Sequence, residues 1–366
     1  MGKKVKILIV AGARPNFIKI APLIEEIKKH PQMRYVLVHT GQHYDFEMSQ
    51  IFFQDLKIPK PDYNLGVGSG THAWQTAKIM ERLEPLILKE NPDLVIVVGD
   101  VNSTLAGALT AAKLNIPVAH IEAGVRSFDF SMPEEINRVL TDRISTFLFC
   151  PTKTAVENLK REGIKKGVYN VGDIMYDTFL KYIKIAQTKS QILKRLNLKP
   201  KTYLLLTLHR PSNVDNPDNL QRILEAVGKS GEKIVFPVHP RTKKQLKKLK
   251  RLSTFQLANF QFIDPVSYIN MLCLEKNAKK IITDSGGVQK EAYWAKVPCI
   301  TLRNTTEWVE TVKTNWNILV GENKNKLIKV IKSFQPNKKQ FSFFGNGKAS
   351  EKILKILLYH LNKLRA

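Results

Sequence analysis

The sequence predicts an α/β protein made of two doubly wound parallel-sheet domains that face each other across a cleft. Three observations carry this. Short apolar runs with little polar alternation recur along the chain, as strands buried on both faces of a sheet require. Amphipathic helical patterns fill the intervals between them. The series breaks at Asn170-Val171-Gly172-Asp173 and then starts afresh, which argues for two sheets rather than one. A chain of 366 residues is long enough to give each domain its own core.

In the first series the strands are expected at residues 5–10, 35–38, 94–98 and 117–121. Phe17, Ile20, Ile24 and Ile27 recur at helical spacing after the first strand, and residues 72–89 form a second amphipathic pattern. In the second series the strands fall at 203–208, 234–238, 260–263, 280–283 and 299–302, again with helices between. The expected division is residues 1–172 for the first domain and 173–349 for the second, with a terminal helix over 350–366 packing back on the first.

Composition narrows the function classes. With 43% hydrophobic and 25% charged residues the chain reads as globular, and no run of about 18 apolar residues offers a membrane span. Residues 5–10 are too short for the apolar region of a signal peptide and no small-residue cleavage site follows, so the expected location is the cytoplasm. Cys150, Cys273 and Cys299 are odd in number, lack metal spacing and sit in apolar contexts, which predicts buried free thiols and no metal. A net charge of +26 invites a nucleic-acid partner. However, the basic stretches 241–251 and 352–364 space their leucines as helices with one buried stripe, and they lack the aromatic interleaving of a stacking platform. No nucleic acid is expected; the charge instead concentrates anionic substrates.

In open α/β sheets ligands bind beyond the carboxyl ends of the strands. Those ends carry Arg14 and Lys19, Gly99-Asp100, Glu122, His209-Arg210 and His239, so titratable side chains cap one strand after another. Arg14 and Lys19 suit a phosphate, as a bidentate and a point-charge contact respectively. Asp100 and Glu122 are open to three readings: proton transfer, helix capping (for Asp100, of the helix near Ser103) or metal binding, the last disfavoured because no ligand cluster accompanies them. Pro133 opens a helix on which Glu134, Asn137 and Arg138 share a face, either as a surface pair or as a cleft carboxylate oriented by Arg138. His209 either titrates near neutrality, donates to a phosphate or is structural. Finally, the strand at 280–283 runs through Asp284 into Ser285-Gly286-Gly287 and a helix bearing Glu291. Amides at a helix start attract an anion, glycines permit close approach, and Glu291 is placed to accept from a diol such as that of a ribose.

Taken together, Gly12-Ala13-Arg14-Pro15 with Lys19, Gly99-Asp100, His120-Ile121-Glu122-Ala123-Gly124, Pro133-Glu134-Glu135-Ile136-Asn137-Arg138, His209-Arg210 and Asp284-Ser285-Gly286-Gly287 through Glu291 resemble the non-hydrolysing UDP-N-acetylglucosamine 2-epimerase family. The resemblance runs from Lys6 to Gly321 in the same order and spacing. It implies two Rossmann-like domains in the GT-B arrangement, a homodimer, and an isomerase that uses no cofactor. UDP is eliminated from the UDP-sugar to leave a 2-acetamido-glycal and then adds back with C2 inverted, for cell-surface polysaccharide precursors. By the same resemblance Asp100, Glu122 and Glu134 are the acid/base carboxylates, His209 assists the departing phosphate and Arg138 supports the site. Arg14, Lys19, Ser285, Gly286, Gly287 and Glu291 hold UDP.

The sequence departs from the family pattern at Arg210-Pro211-Ser212-Asn213 and at Thr306-Glu307-Trp308-Val309-Glu310. The latter is closer to the subgroup acting on UDP-2,3-diacetamido-glucuronic acid, which stands as the alternative substrate. Gln42-His43 resembles part of an activating UDP-GlcNAc site, although Asp45 departs from it. The rivals from outside the family are a GT-B glycosyltransferase and a basic RNA-binding protein.

Overall fold

A computed structural model of the chain describes residues 4–42, 53–249, 257–321 and 323–363; His43 and Asp45 lie outside these. The chain divides into two compact units, Met1–Leu180 with Ser342–Ala366, and Lys181–Phe341. The division lies within the helix Ile174–Lys189, later than the turn at Gly172, and the returning segment starts at Ser342, ahead of the terminal helix. The fold class is the one expected: each unit is a parallel α/β sheet with crossover helices.

The first unit has seven strands in the order β3-β2-β1-β4-β5-β6-β7. They are β1 (Val5–Ala11), β2 (Met33–His39), β3 (Tyr63–Asn64), β4 (Leu94–Val98), β5 (Val118–Ile121), β6 (Phe147–Cys150) and β7 (Val168–Asn170). The central strands are buried along almost their whole length, which is why they read as continuous apolar runs. Strands β3, β6 and β7 are additional to those expected from the sequence; β3 and β7 are two and three residues long and are not buried along their length. The chain progresses outward in opposite directions from β1 and β4, which pair directly with Val10 opposite Val97, so the crevice beyond Ala11 and Val98 is the topological switch point. Gly107 of the helix Asn102–Lys113 has no side chain to hold it away from Val10 and Val97, which brings that helix down onto the switch. The terminal helix Ala349–Lys363 buries Ile353, Leu354, Leu357 and Leu361 in this unit. Asp177 caps its start, accepting from the Ala349 and Ser350 amides at 3.0 and 2.8 Å.

The second unit has six strands in the order β10-β9-β8-β11-β12-β13. They are β8 (Tyr203–Thr207), β9 (Lys233–Pro237), β10 (Phe260–Ile263), β11 (Lys280–Thr283), β12 (Cys299–Thr301) and β13 (Asn317–Leu319). Leu204, Leu206, Phe236, Ile282 and Ile300 form the middle of its core. The switch here lies between β8 and β11, whose last residues, Thr207 and Thr283, join hydroxyls at 2.6 Å. All three cysteines are buried and unbridged. No described helix is long and apolar enough to cross a membrane.

One motif glycine is explained by packing alone. Gly124 has φ +76°, and a Cβ there would overlap the Ala155 carbonyl. Its own amide donates to Asp142 and its carbonyl accepts from Asn158, each at 3.0 Å, so the turn cannot shift freely. Gly163, at φ +80° with open space around it, isolates the backbone cost. We expect Gly163→Ala to destabilise by about 1 kcal/mol and Gly124→Ala by about 3 kcal/mol, read from urea midpoints at unchanged m-value. Equal losses would show that the Ala155 contact is immaterial.

Candidate active site

Beyond β1 the chain passes Gly12 and Ala13 into the helix Arg14–Ile27, and Asn16 closes the turn. Its Oδ1 accepts from the Gly12 and Ala13 amides at 3.0 and 3.1 Å, and its Nδ2 donates to the Val98 carbonyl at 2.9 Å. The amides of this turn therefore serve Asn16. Gly12 is required because a Cβ would overlap the Ser103 and Thr40 hydroxyls, which hydrogen-bond to each other against it. Arg14 stands half-buried at the helix start. Lys19, one turn beyond Asn16, is buried and its Nζ donates to Glu122 Oε1 at 2.5 Å, a partner the sequence does not indicate.

Glu122 ends β5 in the left-handed region, at φ +76°. Its amide and that of Ala123 both donate to the Phe149 carbonyl at 3.1 Å, which bends the chain where the carboxylate turns toward Lys19. A residue with a Cβ bears about 1–2 kcal/mol of strain in this conformation. Gly99, at φ +68° beyond β4, leaves the space the pair occupies: a Cβ there would stand 2.8 Å from Lys19 Nζ. The Gly99 carbonyl is fixed by His120, which spans it at 2.8 Å and Asp142 Oδ1 at 2.6 Å. Burial pushes the Asp142 carboxyl upward, but His120 and Arg126, whose Nη1 is 2.7 Å away, together hold it below the usual carboxylate range.

Asp100 is not a helix cap. The helix Asn102–Lys113 has Val101 at its N-cap with no side-chain capping bond. Asp100 Oδ2 instead accepts from Arg138 Nη2 and Nε at 2.5 and 3.1 Å, and its carbonyl accepts from Asn137 Nδ2 at 2.9 Å. Arg138 is steadied from behind by Glu135, to which its Nη1 donates at 2.7 Å. Fully buried Glu135 also accepts from the Ser127 amide and hydroxyl and the Phe128 amide, each at 2.9 Å, and so anchors the preceding loop. Glu134 lies half-buried in the first turn of the same helix, Pro133–Ile144. The first unit thus brings Lys19 to Glu122 and Arg138 to Asp100 around the ends of β1, β4 and β5.

In the second unit Asp284, fully buried after β11, organises the turn after β8. It accepts from the His209 amide at 3.1 Å, the Arg210 amide at 3.0 Å and Asn213 Nδ2 at 3.1 Å. Its Oδ1 lies 3.2 Å from His209 Nδ1, which orients the exposed His209 ring. Arg210 Nε donates to the Asp284 carbonyl at 3.1 Å. Ser285 caps the helix Gly286–Ala295, and Ser285, Gly286 and Gly287 stand half-buried at its start, where amides and helix dipole favour an anion. A Cβ on Gly286 would overlap the Glu307 carboxylate and lie 3.1 Å from Trp308 Nε1, so this glycine also admits the 307–308 segment. Trp308 is buried with Lys290 Nζ 3.9 Å from its ring centre. Glu291 is 4% exposed on the inner side of the helix.

Asn16, Glu135, Asp142 and Asn213 are the supporting residues that the sequence reading did not single out. Asn16 alone carries a signal, a polar residue in the first turn of a helix after a glycine turn. Among the described residues no three His, Cys, Asp or Glu side chains converge as metal ligands would.

A family model described as UDP-N-acetylglucosamine 2-epimerase matches residues 25–358. A Methanococcus maripaludis protein named as a UDP-N-acetylglucosamine 2-epimerase homolog is 55% identical over 355 residues, covering 96% of this chain and 99% of its own. The UDP-2,3-diacetamido-2,3-dideoxy-D-glucuronate 2-epimerase of Pseudomonas aeruginosa is 43% identical over 360 residues, with 96% and 99% covered. The crystal structure of Methanocaldococcus jannaschii UDP-GlcNAc 2-epimerase in complex with UDP-GlcNAc and UDP superposes with a TM-score of 0.90 at 47% identity, covering 97% of this chain and 99% of that one. With the expected motifs standing at the strand ends of both sheets, the chain belongs to the UDP-N-acetylglucosamine 2-epimerase family.

Proposed function

We propose that the protein is a non-hydrolysing UDP-sugar 2-epimerase that interconverts UDP-N-acetylglucosamine and UDP-N-acetylmannosamine. The observation that carries this reading is the pair of carboxylates, Asp100 and Glu122, each held by a buried cation at a switch point. The chain bearing them is 47% identical to an enzyme solved with UDP-GlcNAc and UDP. A base takes the C2 proton, the C1–O bond breaks with its electron pair leaving on UDP, and a 2-acetamido-glycal remains. Return of a proton to the opposite face of C2 and re-addition of UDP at C1 complete the inversion.

Asp100, Glu122 and Glu134 are assigned the proton transfers, which require carboxylates fixed relative to the sugar. Arg138 fixes Asp100, and Lys19, expected at the nucleotide, fixes Glu122. His209, oriented by Asp284, supports the leaving phosphate. Arg14 and the Ser285-Gly286-Gly287 turn take the diphosphate, and Glu291 accepts from the ribose hydroxyls. We assign the activity to the cytoplasm and to polysaccharide precursor synthesis. A homodimer is supported by Phe128, Phe130, Ile136 and Leu140, which are large, apolar and exposed on and beside the helix that carries Glu134.

The diacetamido-uronate is the second reading, favoured by the 43% relative. The buried Trp308 indole, with Lys290 on its face, is better suited to supporting the helix start than to covering a substrate acetamido group.

The reaction itself is tested by incubation in D₂O. UDP-GlcNAc alone should gain deuterium at C2 and yield the manno epimer, followed by NMR, with a higher kcat/KM than the diacetamido-uronate measured beside it. Release of UDP only on adding an acceptor would mark a glycosyltransferase, and turnover of the uronate alone would exchange the two substrates.

Asp100→Asn, Glu122→Gln and Glu134→Gln should each lower kcat about a hundredfold while calorimetry shows UDP still bound. Near-wild-type turnover in any of them returns that residue to a structural role.

Sedimentation should show a dimer that Ile136→Lys with Leu140→Lys converts to monomer. A monomeric wild type at micromolar concentration would remove the dimer from this reading.

A further inference from the structure

His120, the first residue of the His120-Ile121-Glu122-Ala123-Gly124 motif, lies on β5 and is fully buried. Its Nε2 stands 2.8 Å from the Gly99 carbonyl and its Nδ1 2.6 Å from Asp142 Oδ1. A carbonyl oxygen only accepts, so Nε2 carries a hydrogen. At its other oxygen, Oδ2, Asp142 accepts from the Gly124 amide at 3.0 Å and faces Arg126 Nη1 at 2.7 Å. A guanidinium is always charged, and a carboxyl held in this way is the ionised form, which also only accepts. Nδ1 therefore carries a second hydrogen. On that count the cluster is neutral, with His120 and Arg126 set against Asp142 and Glu162; Arg126 donates to Glu162 from Nε and Nη2 at 2.7 and 2.8 Å. A neutral ring beside the ionised Asp142 would leave a net negative charge on a cluster in which His120, Asp142 and Arg126 are each at most 2% exposed, and burial penalises such a charge.

We propose that His120 is a buried imidazolium and the positioning residue that sets the Asp100 and Glu122 carboxylates relative to each other. Both backbone groups of Gly99 are held from β5, the carbonyl by His120 and the amide by the Ile121 carbonyl at 2.9 Å. Asp100 follows Gly99 directly. On the far side of Glu122, the Gly124 amide is held by Asp142. One path, from the Gly99 carbonyl through His120 and Asp142 to the Gly124 amide, thus brackets Glu122 and fixes the peptide before Asp100. A neutral ring could donate from one nitrogen only and would release one end of that path. Burial pushes the Cys150 thiol up, so it adds no charge beside the cluster. The protonation of the ring follows from these contacts; its effect on turnover rests on the reading of Asp100 and Glu122 as proton-transfer groups.

Neutron diffraction from wild-type crystals grown in D₂O at pH 8, where a free imidazole is neutral, should show deuterium on both ring nitrogens of His120. Two variants test the positioning. His120→Gln can reach only one of the two acceptors, and Asp142→Asn removes the anion that holds Nδ1. Each should lower kcat about tenfold or more while UDP affinity, read by calorimetry, stays that of the wild type. Deuterium on one ring nitrogen only, or on Asp142 Oδ1 in place of Nδ1, overturns the imidazolium. Wild-type kcat in either variant overturns the positioning role, and so does a parallel loss of kcat and UDP affinity. If one variant fails to fold, the other decides; failure of both assigns the pair to the fold and also overturns the positioning role. Wild-type turnover in Asp100→Asn and Glu122→Gln would instead overturn the proton-transfer reading and leave the neutron map to decide the ring.

Discussion

Taking the Lys19 ammonium and the Glu122 carboxylate out of water costs several kcal/mol per ion, and removing either partner alone costs about 3–5 kcal/mol because a buried charge is stranded. Much of the first unit is arranged around that constraint. Gly99 leaves the volume, Glu122 accepts a left-handed backbone, and Asn16 ties the amides of the preceding turn so that the helix bearing Lys19 starts at a fixed angle. The family glycines in this region are therefore explained by close packing around fixed charges as much as by approach of a ligand.

The second carboxylate is fixed by a longer chain of contacts. Glu135 holds Arg138 and the loop at Ser127, Arg138 holds Asp100, and His120 holds the carbonyl of the residue before it. Each link is buried or nearly so, where a hydrogen bond to a charged group is strong and an unmade one is expensive. A proton-transfer group on a loop gains precision from such links, because the loop alone would leave it several rotamers to sample.

The residues proposed to carry chemistry were picked out because doubly wound sheets put ligand-facing residues after strand ends, and strand ends are visible where apolar runs stop at Gly99, Glu122, His209 and Ser285. Their partners were not. Lys19 and Glu122 are separated by 103 residues and Asp100 and Arg138 by 38, distances over which no local pattern operates. Lys19 reads as a phosphate contact from its place near a helix start, and its link to Glu122 carries no local signal. Glu135 was indistinguishable from Glu134 in sequence; which of two adjacent glutamates turns inward depends on the helix's rotation against the sheet. Strands β3, β6, β7 and β13 were not anticipated, and β3, β7 and β13, reading Tyr-Asn, Val-Tyr-Asn and Asn-Ile-Leu, lack a continuous apolar run.

The helix Gly286–Ala295 ties the proposed anion-binding turn to the stability of the second unit. Two adjacent residues, Lys290 and Glu291, are both buried, and Lys290 lies over the Trp308 indole. Their burial fixes the rotation of the helix, and the rotation fixes where the amides of Ser285, Gly286 and Gly287 point. A desolvated ammonium over an indole is worth about 2 kcal/mol, so replacing Trp308 takes support from a buried cation as well as reshaping the segment against Gly286. A change in substrate preference in a Trp308 variant is therefore evidence for direct contact with the sugar only when UDP affinity and thermal stability remain those of the wild type.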